Sequence, residues 1–233
     1  MRTYGQYCPV ARGAQVVAER WTPIILRNLL NGCTTFNDIA GGAPGLSRAL
    51  LTTRLRELER VGVIEIQPKP GGHGSIYELT PAGEDLAGVI HALADWAERW
   101  TDIDNENAHP DYVLWSWCRL YLDRAKLPSR RVVVRFELIS SKRTVNHWLL
   151  IEQGNGELCR TDPGFGDDVT VSVTDPVAFA RWHAGLISWP SALRSGGINV
   201  DGARDLCRAL PTWNRGPLII AKRREQAQRS TVR

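Results

Sequence analysis

Between Ser47 and Arg60, leucine recurs at positions 51, 55 and 58, with Ala49, Thr53, Arg56 and Arg60 set between them. At about 100° per residue the three leucines share one stripe and the other four lie opposite. The pattern predicts an amphipathic helix with Ser47 as its N-cap and Gly62 as its stop. Upstream, Pro9 in a first turn predicts a helix through Val17. Thr22 followed by Pro23 reads as a cap opening a second helix over 24–30, which Gly32 ends. Residues 35–40 form a short third helix, and Gly41-Gly42-Ala43-Pro44-Gly45 turns the chain before Ser47. Val63 to Gln67 and Ser75 to Leu79 are short β-prone runs around a proline- and glycine-rich tip, 68–74, and predict a hairpin. Thr80-Pro81 then opens one long helix whose stripe is Leu86, Val89, Ile90, Leu93, Trp96, Ala97 and Trp100.

The order of these elements predicts a mainly α, winged helix-turn-helix domain. Its fourth helix presents small, hydroxyl and arginine side chains, a face suited to the DNA major groove, which is wide enough to admit a helix. The apolar stripe of the long helix is wider than a three-helix core needs, and a homodimer interface would bury it.

From about residue 104 the pattern changes. Residues 102–110 are acidic and poor in apolar side chains, and 104–110 is taken as a linker between a domain over 1–103 and a second over 111–215. In the second, 112–126 predicts an aromatic-rich helix, and 131–138, 148–152, 157–161 and 169–173 predict strands. Gly154-Asn155-Gly156 is the hairpin signal. Asp175-Pro176 begins a helix through Ala184, and another covers 203–210. Strands followed by helices indicate an α+β domain. The last stretch, 216–233, is a basic tail, disordered in character from Lys222 on.

Composition adds limits. A chain of 233 residues with 43% hydrophobic residues has room for two cores. The net charge of +4 misleads, because residues 1–100 hold ten basic and ten acidic side chains and residues 101–217 hold fourteen of each. The excess sits in the last sixteen residues, so overall charge is no argument for DNA. The argument is local, in Arg48, Arg54, Arg56 and Arg60 on one helix. The five cysteines, Cys8, Cys33, Cys118, Cys159 and Cys207, are scattered without paired ligand spacing, which argues against zinc and for a reducing cytoplasm. No secretory signal and no membrane-spanning run is visible.

Several ordered motifs resemble one family: Tyr7-Cys8-Pro9-Val10, Glu19-Arg20-Trp21-Thr22, Ile25-Leu26-Arg27, Phe36-Asn37-Asp38-Ile39, residues 50–58, Tyr77-Glu78-Leu79-Thr80-Pro81-Ala82-Gly83, and Trp96-Ala97-Glu98-Arg99-Trp100. Over about residues 5–100 the chain resembles the HxlR group of bacterial winged-helix regulators, relatives of the MarR group. The resemblance implies a homodimer built by the first and last helices of this domain, a recognition helix from Ser47 and a wing over 69–75. It also makes Cys8 a candidate redox or electrophile sensor, since some members use a cysteine there. The competing reading is a small packing residue. Residues 111–215 more weakly resemble sterol-carrier-protein-like domains, which hold an apolar ligand between a five-stranded sheet and helices.

The DNA-contacting candidates are Ser47, Arg48, Ala49, Thr52, Thr53 and Arg56 on the helix, with Lys69 and His73 in the wing. Arg54, closer to the leucine stripe, is a candidate for an internal salt bridge instead. Six of nine tryptophans lie in the second half; Trp115, Trp148, Trp182 and Trp189 are candidate lining of a ligand pocket, against the plainer reading of core residues. The five histidines show no metal-ligand spacing, and no nucleophile elbow, P-loop or dinucleotide motif occurs, so neither catalytic residues nor a metal or cofactor is expected. The reading is a cytoplasmic, dimeric regulator, more often a repressor, that binds an operator in double-stranded DNA and answers to an apolar effector. Its rivals are a regulator whose second domain only dimerises or docks a protein, and a lipid or metabolite carrier whose winged helix makes protein contacts.

Overall fold

In the computed structural model, which describes residues 3–218 with Ile220 and Lys222, the chain divides into two units, Met1–Ala97 and Glu98–Arg233. The first unit runs α1 (Pro9–Val17), α2 (Thr22–Leu30), α3 (Phe36–Gly41), α4 (Arg48–Arg60), β1 (Ile64–Pro68), β2 (Ser75–Leu79), α5 (Pro81–Asp85) and α6 (Ala87–Trp100), the last crossing into the second unit. Leu51, Leu55 and Leu58 join Ile25, Leu26, Ile39 and Ile64 in its core. Asn28, fully buried among them, donates its amide to the Ile39 carbonyl at 2.9 Å and ties α2 to α3. A buried amide left without that partner would be costly, so this bond fixes how the two helices meet.

Two local expectations are corrected. The residue before α2 is Trp21, in the left-handed region at φ 77°, and Thr22 lies inside the helix with its hydroxyl buried and without a hydrogen-bond partner among the described residues. The left-handed turn lets the Thr22 N–H reach the Glu19 carbonyl, a backbone solution to the helix start in place of a side-chain cap. The long helix expected after Thr80 is broken at Leu86 into α5 and α6. Gly83 explains the break: a Cβ there would lie 2.2 Å from the Val63 carbonyl, so α5 is pressed onto the strand side. Leu86 closes it with a three-residue turn back to the Gly83 carbonyl.

The second unit carries α7 (Pro110–Leu120), β3 (Val132–Ile139), β4 (Thr144–Glu152), β5 (Asn155–Cys159), β6 (Val169–Val173), α8 (Pro176–His183), α9 (Trp189–Arg194), β7 (Ile198–Gly202) and α10 (Arg204–Ala209). The sheet has five strands in the order β5-β4-β3-β6-β7, antiparallel except for the parallel pair β3 and β6. Alternation sorts its faces. Val132, Val134, Phe136 and Leu138, with Leu149, Ile151, Val169, Val171 and Val173, join Trp117, Phe179 and Trp182 of the helices in one core. Arg135, Glu137, Trp148, Thr170 and Ser172 lie on the other face.

Three details differ from the sequence reading. α7 ends at Leu120, and 124–126 is a separate 3₁₀ turn, because Leu122 leaves the helix to pair with Asn214. The β4–β5 turn is Gln153-Gly154, at φ 51° and 74°, one residue earlier than expected. Gly156 instead packs in β5, where a Cβ would lie 2.6 Å from a Leu122 methyl. α9 was not expected at all. The basic tail lies largely outside the described residues.

Candidate nucleic-acid interface

The helix-turn-helix is α3, a turn through Gly45 at φ 88°, and α4. Ser47 caps α4, its hydroxyl accepting the Leu50 N–H at 3.2 Å, which satisfies one of the free donors of the first turn. Arg27 donates to the carbonyl of Gly42 and so holds the turn from the α2 side. Arg54 is locked between Glu19 at 2.9 Å and Glu57 at 2.6 Å, the internal bridge its position suggested. These ties leave α4 fixed in orientation, with its leucines inward and Ala49, Thr53 and Arg56 exposed. A rigid reading element spares the ordering entropy a loose one would lose on binding.

The polar face is not uniform. Thr52 donates its hydroxyl to the Arg48 carbonyl and Thr53 to that of Ala49, both at 3.0 Å. The guanidinium of Arg48 lies 4.5 Å from the centre of the Phe36 ring and donates to the Asn37 side chain at 3.3 Å. Phe36 in turn meets Tyr77 of β2, ring centres 6.5 Å apart. Arg56 makes no hydrogen bond or ion pair with the described residues. Phe36, Asn37 and Tyr77 were missed as part of this face. Their signal was thin: an aromatic residue one position after a helix cap, half-exposed where the pattern alone would bury it.

The wing is β1, β2 and the tip between them. Backbone bonds from Lys69 to Gly74 at 3.1 Å and from Gly72 to Lys69 at 3.4 Å close the tip, with Gly71 and Gly74 at positive φ. Tyr77 N–H reaches the Thr34 carbonyl at 2.8 Å and Ile76 pairs with Thr35, so the hairpin is pinned to the start of α3. Lys69 and His73 stand exposed at the tip. Elsewhere on this unit the apolar side chains of α1 and α6 are uncovered: Val10, Val89, Leu93 and Trp96 are between about half and four-fifths exposed. Of the α6 stripe only Ile90 is buried.

The HxlR-like helix-turn-helix model matches residues 16–105, the stretch that holds every element of this interface from α2 to the wing. The HTH-type transcriptional regulator YvaP of Bacillus subtilis (strain 168) is 34% identical over 99 residues, 42% of this chain and 92% of that protein. The chain belongs to the HxlR-like helix-turn-helix family. The regulator YdeP of the same organism is 35% identical over 101 residues, 41% of this chain and 75% of that one. The crystal structure of diamide-treated YodB from B. subtilis is 31% identical with a TM-score of 0.35, covering 41% of this chain and 96% of that one. The HxlR-like part is therefore a winged helix-turn-helix of DNA-binding transcriptional regulators, followed in this chain by an α+β unit. No helix among the described residues is long and apolar enough to cross a membrane.

The remaining candidates, Cys8 of the first unit apart, fall in the second unit and do not converge. Trp182 and Trp189 meet with ring centres 4.5 Å apart on the helix side of the sheet. Trp115 stacks on Tyr112 at 5.9 Å, outside that core cluster. Trp148 lies on the opposite sheet face, donating to Asp167 at 3.1 Å. The strand period separates it from the others: Leu149, its neighbour, points into the core. One pocket lined by all four is thus not what the structure holds. His147 pairs with Asp111 at 3.0 Å, and no group of three or more metal-ligating side chains gathers among the described residues. Cys8 stands half-buried at the N-cap of α1 as a free thiol.

His183 is buried in this unit together with Ser116 and Asn214. It lies 2.9 Å from the Ser116 hydroxyl and 3.0 Å from the Asn214 amide, in the outline of a nucleophile with its base. The directions run the wrong way. Gly216 N–H donates to the Asn214 oxygen at 2.8 Å, so Asn214 turns its NH2 to His183 Nδ1, which accepts. Nε2 then carries the hydrogen and donates to Ser116, leaving no base for the serine. Burial holds His183 neutral, its pKa pushed down to about 4.

Proposed function

We propose that the chain is a dimeric regulator in which α4 reads operator sequence in the major groove and the wing touches phosphate. The observation that carries the reading is the division of labour among the α4 arginines: Arg54 is locked inward on Glu19 and Glu57, while Arg56 projects without a partner among the described residues. Ser47, Arg48, Ala49, Thr52, Thr53 and Arg56 form the reading surface, and Lys69 and His73 position the protein without reading bases. A second copy covers the apolar side chains of α1 and α6, which brings two α4 helices onto half-sites about one helical turn or a multiple apart. Cys8, at the start of α1, sits where oxidation would disturb that contact.

For the second unit the reading is a sterol-carrier-like module whose apolar effector meets the Trp182–Trp189 pair, because Trp189 is half-buried and reachable while Trp182 is buried beneath it. Such an effector controls DNA binding only if it prefers one arrangement of the dimer. A docking or dimerisation role is the second reading. It is favoured by the middle of the unit, where Trp117, Phe136, Phe179 and Trp182 pack with ring centres 5.1 to 5.8 Å apart. Titration of the full chain with duplex from its own promoter, against scrambled duplex and at several salt concentrations, tests the regulator. Equal affinity for both duplexes would defeat it. Quenching of tryptophan fluorescence by apolar metabolites supports the effector reading, and a flat response across chemical classes supports docking.

A further inference from the structure

Which bases α4 prefers can be read from where its hydrogens are already committed. A free threonine hydroxyl reads either kind of base edge, since it both donates and accepts. Here neither does so freely, because Thr52 gives its hydrogen to Arg48 O and Thr53 gives its own to Ala49 O, each at 3.0 Å. What remains outward is lone pairs and methyl groups. Ala49, one turn before Thr53 on the same exposed face, adds another methyl. Two of the nearest strong donors are held aside, Arg48 over Phe36 and on Asn37 and Arg54 on Glu19 and Glu57, and the unheld Arg56 lies a turn further along. The middle of α4 is an acceptor-and-methyl patch without a donor of its own.

Base pairs meet such a patch unequally. A G·C pair offers one donor, the cytosine N4 amino group, but no methyl beside it, and its guanine O6 and N7 acceptors would face threonine acceptors across a dehydrated contact and stay unpaired. An A·T pair offers the adenine N6 amino group as donor and the thymine 5-methyl as apolar surface. The geometry points to A·T base pairs as what Ala49, Thr52 and Thr53 select, with Thr53 the residue that sets the preference. This inference rests on the reading of α4 as the DNA-reading helix.

The test is selection of duplexes from a randomised pool by the full chain, followed by single-atom changes in the selected site. Replacing one thymine by deoxyuracil removes only the methyl, and at a contacted position should weaken binding about fourfold, the value of one buried methyl group. Replacing the partner adenine by purine removes only the N6 amino group and should weaken binding by a like factor. Thr53→Val keeps the methyl but removes the acceptor, so this variant should keep the deoxyuracil effect and lose the purine effect. G·C pairs selected at the positions Thr53→Val alters would overturn the inference and leave the regulator standing. So would indifference to both base changes. If no duplex is enriched at all, the regulator reading falls, and this one with it.

Discussion

The two units differ in their aromatic side chains: among the described residues the second buries several rings and the first buries none. The second buries Trp117 and Trp213 to 0% and 1% exposure and stacks Trp182 against Phe179. The first leaves Tyr7, Val10, Leu93 and Trp96 in the open, Tyr7 at 95%. A closed aromatic core makes a unit self-sufficient, whereas contiguous exposed apolar surface marks a unit completed by something else. The winged helix thus has an unfinished side along α1 and α6 and a finished, polar side along α4. On the proposed reading the first unit turns apolar side chains to contacts with other molecules and the second turns its rings to its own cohesion.

The largest effect expected is at the centre of that cohesion. Trp117→Ala should lower the stability of the second unit by about 3–5 kcal/mol, as removal of a fully buried large aromatic does, seen as an earlier denaturant midpoint by circular dichroism. A loss under 1 kcal/mol would mean that the core is looser than its ring contacts imply.

Next comes acidity. His183 has a pKa of about 4 in the folded chain, below its ordinary value of 6.5. As pH falls through 6.5 the unfolded chain therefore takes up this proton first. The stabilising effect of the neutral ring is complete above about pH 7, declines between 6.5 and 4, and levels off below. The total loss is about 3 kcal/mol at 1.36 kcal/mol per unit. Denaturation at a series of pH values should show this slope, and His183→Gln should remove it. An identical slope in the variant would place the acid sensitivity elsewhere.

A third change sharpens the other half of the contrast. Trp96→Glu should leave the first unit folded, since that side chain is 53% exposed, yet shift sedimentation from dimer to monomer at micromolar concentration. Its affinity for operator should fall in step. A dimer untouched by the substitution would move the interface away from α6.

The same contrast explains what the sequence could reveal. α4 was readable because its features are local: a serine cap, leucines at helical spacing, a glycine stop. The inward turn of Arg54 was also foreseeable, from its place beside the leucine stripe. Contacts set by the fold were not. Arg48 is drawn onto Phe36 and Asn37, twelve and eleven residues upstream, by the α3–α4 turn. Gly83 meets Val63 only once the hairpin has formed, and that meeting breaks the helix at Leu86. Trp148 is turned away from the core by the alternation of β4, while Trp182 comes from helix α8 and packs into it. α9 is different: Ser188, with its hydroxyl accepting from Ser191, and Pro190 are ordinary start signals. With only six residues and no periodic stripe behind them, these signals do not distinguish a helix from a turn.

The most direct test of α4 as the reading helix is titration of operator duplexes, at several salt concentrations, with Arg56→Gln, Lys69→Gln and the unaltered chain. Arg56→Gln should relax preference at one base position, by about 1–3 kcal/mol. Lys69→Gln should weaken every sequence alike and lower the salt slope by about one. Unchanged affinity, preference and slope in both variants would contradict the account.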